Sequence, residues 1–158
     1  MATLKDIIYY IIKTYPIKDH LSNARITKMI YLADWYSANV FHHQITNIKW
    51  YFNNYGPFVN DILETATQNN DLFSVNTVNN FYGAPKRIIG IKNDYTPTLA
   101  DQDIQAIQRV IEVTKGKTWE QFITFVYSTY PIVSSDRYTE LDLLKLAEDY
   151  KKTQKEDQ

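Results

Sequence analysis

One stretch constrains this chain more than any other. Between Ser22 and Tyr36, Ile26, Met29, Ile30, Ala33 and Tyr36 mark one helical face, while Tyr31, Leu32 and Trp35 cover much of the rest. Ser22 has the chemistry of an N-cap, and Leu21 and Ile26 flank it at the spacing of a hydrophobic staple. A helix that is apolar on most sides has no good solvent-facing orientation, so it belongs in the middle of a domain. The sequence therefore predicts a hub helix with the other elements arranged around it.

Those elements follow from local signals. Thr3 caps a first helix carrying Leu4, Ile7, Ile8, Ile11 and Tyr15, and Pro16 ends it. Ile48 to Phe52 is short and aromatic-rich, the pattern of a strand. Asn53-Asn54-Tyr55-Gly56 turns the chain, and Pro57 is expected to open a helix burying Phe58, Ile62, Leu63 and Ala66. Phe73 to Val78 and Arg87 to Lys92 form a hairpin around turn material that includes Gly83-Ala84-Pro85. Thr98 is expected to cap a fourth helix with Ile104, Ile107, Val110 and Ile111 on its stripe, ending at Lys115-Gly116. Thr118 and Gln121 make a capping box for a fifth, expected to run through Tyr130 to Pro131. A last helix runs from about Thr139 to Tyr150. The expected fold class is α+β, mainly α, with about six helices around the hub and a small antiparallel sheet or hairpin. Residues 1–150 form one domain, and 151–158 a solvated tail.

Composition narrows the function. With 17 basic and 18 acidic residues the net charge is −1, and no basic stripe offers itself to a phosphate backbone. Cysteine is absent, which removes disulfides, thiol nucleophiles and thiolate metal sites together and fits a cytoplasmic setting. No secretory signal is expected at the start, and no run approaches the roughly 18 apolar residues that span a bilayer.

Catalytic constellations fail one by one. His42 and His43 are adjacent, a poor chelating geometry even with Asp34 upstream. Gly56, Gly83, Gly90 and Gly116 are too scattered for a phosphate loop. Ser134-Ser135-Asp136 has no neighbouring histidine, and the paired acids Asp101 with Asp103 and Glu140 with Asp142 sit at helix starts, where capping explains them. The expectation is a protein that is not an enzyme and takes no cofactor and no metal. A winged-helix regulator is the alternative, because Lys86, Arg87 and Lys92 would tip a hairpin; edge-strand protection explains the same residues.

What remains unusual is the aromatic content: 13 Tyr, 7 Phe and 3 Trp. Such rings either fill a core or anchor an interface. The candidate partner-binding residues are Tyr31 and Trp35 on the hub, Trp50 and Tyr55 around the first strand, and Tyr82, Lys86 and Arg87 on the hairpin. Core packing is the competing explanation for the first four.

The segment Arg25-Ile26-Thr27-Lys28-Met29-Ile30-Tyr31-Leu32-Ala33-Asp34-Trp35-Tyr36 resembles the opening signature of the Panacea domain, Lys-Leu-x-Lys-Leu-Leu-Tyr-Phe-Ala followed by an aromatic. Ile48-Lys49-Trp50 and Tyr55-Gly56-Pro57-Phe58 are similar to that family's Trp and Tyr-Gly-Pro-Val elements, in the same order. Trp119 to Pro131 stands where the family has Ser-x-x-Leu…Thr-His…Pro-Trp, but the His is missing and Ile132 replaces the Trp. The resemblance implies an antitoxin of a toxin–antitoxin pair, of the kind carried by phages and other mobile elements, which binds a cognate protein toxin. It also implies a second possibility, an adaptor that delivers the toxin to a protease.

Overall fold

A computed structural model describes residues 2–79 and 85–156. In chain order the described elements are α1 (Leu4–Thr14), α2 (Asn23–Val40), β1 (Trp50–Asn53), β2 (Gly56–Phe58), α3 (Asp61–Gln68), β3 (Phe73–Asn79) and β4 (Pro85–Ile91). They continue with α4 (Asp101–Thr114), α5 (Trp119–Tyr127), α6 (Tyr130–Val133), β5 (Glu140–Leu141) and α7 (Leu143–Glu156). The fold is α+β and mainly helical.

The hub is α2. Every residue from Arg25 to Asp34 is buried, and the helix touches α3, α4, α7, β2 and β4. Ile26, Met29, Ile30 and Ala33 join Ile7, Ile8, Ile11, Ile107 and Phe122 in the core. Ser22 caps α2 by accepting from the Arg25 amide at 3.1 Å, and Leu21 and Ile26 are both fully buried beside it. Thr3 caps α1 in the same way, through the Asp6 amide. Thr118 and Gln121 complete the capping box that opens α5.

Two small antiparallel sheets complete the fold, one in the order β2-β1-β5 and one the β3–β4 hairpin. Pro57 does not open a helix. It lies in β2 opposite Phe52, and α3 begins only at Asp61. The reason is the direction of the Phe52 backbone groups. Its amide donates to the Thr139 carbonyl (2.9 Å) and its carbonyl accepts from the Tyr138 amide (2.6 Å), so both point away from β2. A proline on that edge strand gives up no ladder hydrogen bond. Gly56 precedes it at a φ of +99°, which favours glycine, and the turn closes against the Tyr127 ring.

Three further boundaries differ from expectation. Ala100, not Thr98, occupies the N-cap of α4, without a side-chain hydrogen bond. Pro131 does not end α5; it sits in the first turn of α6, where a missing amide costs nothing. Glu140–Leu141 pairs with β1 as a strand, so α7 starts at Leu143 and continues past Tyr150 to Glu156, turning most of the expected tail into exposed helix. No helix among the described residues is long and apolar enough to cross a membrane.

Candidate functional site

The candidate binding residues separate into three places. Tyr31 and Trp50 lie in the core with no exposed surface, their rings edge to face at 5.6 Å. They offer nothing to a partner, which corrects the expectation for both. The Tyr31 hydroxyl bonds Thr129 at 2.8 Å, and burial pushes it well above the usual phenol range.

Trp50 belongs to a buried polar knot centred on Asp34. The Asp34 carboxylate accepts from the Ile45 amide (2.8 Å), the Thr46 amide (3.1 Å) and hydroxyl, the Trp50 indole (2.8 Å) and the Gln44 amide group (3.3 Å). It has no cationic partner; among the described residues the one salt bridge joins Lys115 to Glu112. Burial raises the Asp34 pKa to about 6, against the pull of these donors. The knot ties the loop after α2 back onto the helix and sets where β1 begins. Its role is structural.

Trp35 is half-buried and lines a groove of about 570 Å³ between α2, α4, α5, α6 and α7. Its ring stacks on Tyr130 at 6.4 Å and tilts against Tyr150 at 5.8 Å, and those two lie 5.2 Å apart. Val133, 69% exposed, stands at the rim.

Tyr55 is the most exposed large hydrophobic side chain among the described residues, at 82%, and sits on the β1–β2 turn. Beside it is a residue that no sequence signal singles out. Tyr138 is 59% exposed, takes a left-handed φ of 67°, and its hydroxyl donates to the Asn54 side chain. A left-handed tyrosine costs on the order of 1 kcal/mol or more. The Tyr138 amide bond to Phe52 and the Asn54 contact hold it there. Tyr51, 38% exposed, lies on the neighbouring strand. Three tyrosines thus decorate the β2-β1-β5 sheet, of which one was expected.

Lys86 and Arg87 are exposed on β4 and far from the other two groups in character. Isolated pairing of Ile88 with Ser22 and a bond from the Ile89 amide to the Leu21 carbonyl (3.1 Å) lay β4 beside the start of α2. Both cations line a cleft there together with Arg25. Tyr82 lies outside the described residues. His42 is exposed in a loop, and no three His, Cys, Asp or Glu residues stand together as a metal site among the described residues.

A family model described as "Antitoxin SocA-like, Panacea domain" matches residues 26–131. That span holds the hub helix, the Asp34 knot, both hairpins and α4 and α5. No curated protein and no solved structure matches the chain.

Proposed function

Because the chain belongs to the SocA-like Panacea antitoxin family, we propose that it neutralises a cognate protein toxin by binding it directly, without making or breaking a bond itself. The toxin is encoded beside it on a mobile element and met in the cytoplasm. The contact surface is the tyrosine-bearing face of the β2-β1-β5 sheet. The observation that carries this reading is Tyr55, a large aromatic left 82% exposed on a turn anchored on both sides by strand pairing. Exposed, rigidly held tyrosines lose little conformational freedom on binding and recur as interface anchors. Tyr138 beside it is held against the strain of its left-handed backbone by hydrogen bonds to Phe52 and Asn54, so it too is ordered before any partner arrives.

The test is co-expression of the adjacent gene product with this chain, scored by rescued growth and by co-purification. Tyr55→Ala and Tyr138→Asn should each weaken the complex by about 2 kcal/mol, the scale of an interface hot spot. Asparagine is chosen because it tolerates a left-handed φ. Circular dichroism should be unchanged in both. Full rescue and unchanged affinity in both variants would remove this face from the interface.

A further inference from the structure

The cleft of about 870 Å³ beside the start of α2 is built from an unusual set of side chains. Its lining includes His20, Arg25, Lys86 and Arg87 and, among the described residues, contains no carboxylate, in a protein whose net charge is −1. Two helices begin at its walls: α2 after Ser22, and α5 after Thr118. The side chain of each cap takes one first-turn amide, from Arg25 and from Gln121. The remaining first-turn amides have no carbonyl within their own helix, and the positive end of each helix dipole faces the same space.

Arg25 provides a separate indication. It is 2% exposed, and no acid among the described residues pairs with it. Its Nη2 donates to the Tyr15 hydroxyl (2.9 Å) and to the carbonyls of Thr114 (3.1 Å) and Lys117 (3.2 Å). Phe122 lies 4.5 Å beneath the guanidinium. Among the described residues its buried Nε has no partner, and neither has the buried Nδ1 of His20, which lines the same cleft. A buried cation normally has a counter-charge and a full set of acceptors. Arg25 lacks both among the described residues, and it lines the cleft.

At the mouth, Trp119 is 46% exposed and rests on Phe122 at 5.9 Å, leaving an indole surface uncovered. The volume falls within the roughly 300–1,000 Å³ typical of small-molecule sites. We propose that this cleft binds a phosphate ester of mononucleotide size, its phosphate at the first turns of α2 and α5 under Lys86 and Arg87 and its flat ring on Trp119. The chemistry is the familiar pairing of an oxyanion with helix N-termini and cations, and of a base with an aromatic face. A cleft of this volume holds one such unit, whereas a nucleic-acid strand needs a groove that continues. The site is independent of the tyrosine face, and its test does not require the toxin.

The experiment is titration of the purified full chain with AMP, with adenosine and with inorganic pyrophosphate, followed by calorimetry and tryptophan fluorescence. AMP should bind and quench fluorescence, pyrophosphate should compete with it, and adenosine should bind at least about tenfold more weakly. Lys86→Ala combined with Arg87→Ala, both exposed positions that leave the fold intact, should weaken AMP and pyrophosphate by about tenfold or more. Trp119→Ala should weaken AMP alone. Absence of AMP binding, binding that survives the double substitution, or an oligothymidylate that binds more tightly than AMP would each overturn the proposal.

Discussion

Asp34 and Arg25 are both buried on α2, and their surroundings could hardly differ more. The anion accepts from five donors in the loop and strand that follow its helix, all within 16 residues in sequence. The cation reaches carbonyls 89 and 92 residues away, uses one nitrogen for them, and keeps a buried Nε with no partner among the described residues. A closed shell of hydrogen bonds marks a group that holds the fold together. An incomplete shell marks a group that the fold alone does not satisfy. The same contrast separates Trp50, whose indole is bonded inside, from Tyr55, whose ring meets only solvent.

The comparison breaks most directly at Asp34. Asp34→Ala strands several buried donors at once, so urea denaturation should show a loss of roughly 3–5 kcal/mol. A loss below about 1 kcal/mol would mean the knot is ornamental. The next effect is in pH. The folded pKa of Asp34 lies near 6, above its ordinary value of 3.8. The folded state therefore holds this proton more tightly than the unfolded chain. Asp34's contribution is most favourable below about pH 4 and is lost as pH rises through 6, by on the order of 2–3 kcal/mol. Denaturation of the wild type between pH 4 and 7, set against Asp34→Asn, isolates that slope; equal slopes would contradict it.

Arg25→Met should behave differently. It removes a buried charge that has no counter-ion among the described residues but leaves the Tyr15 hydroxyl and the Lys117 carbonyl without their donor, so the expected loss is about 1–2 kcal/mol, smaller than that of Asp34→Ala. A loss as large as that of Asp34→Ala would place the two residues in the same class and erase the contrast. Smallest of all, Tyr55→Ala should leave stability within about 0.5 kcal/mol, as for an exposed side chain that supports nothing. Thermal denaturation measures both.

Much of the architecture was legible in the residues, and the particular successes share a cause. Thr3, Ser22 and Thr118 were readable as caps because each bonds an amide three residues on. The hub helix was readable because its apolar residues surround the axis whatever packs against them. The site was much less legible. Of the candidate residues, Tyr31 and Trp50 turned inward, and Tyr138 and Arg25 went unrecognised as surface and cleft. An aromatic ring carries the same composition signal on either side of a strand, and only pairing decides the side.

What the chain fixed alone was therefore local: the helix starts after Thr3, Ser22 and Thr118, the buried hub, the β3–β4 pairing, and the absence of thiol chemistry. Tertiary structure decided the rest. Pro57 became a strand residue because Phe52 already faced β5, and Glu140–Leu141 became a strand because β1 offered an edge. Arg25 came to border a cleft because α5 and β4 were brought to the start of its helix. Hydrogen bonds a few residues apart are set by the backbone geometry of one element, whereas exposure and long-range partners depend on which elements meet.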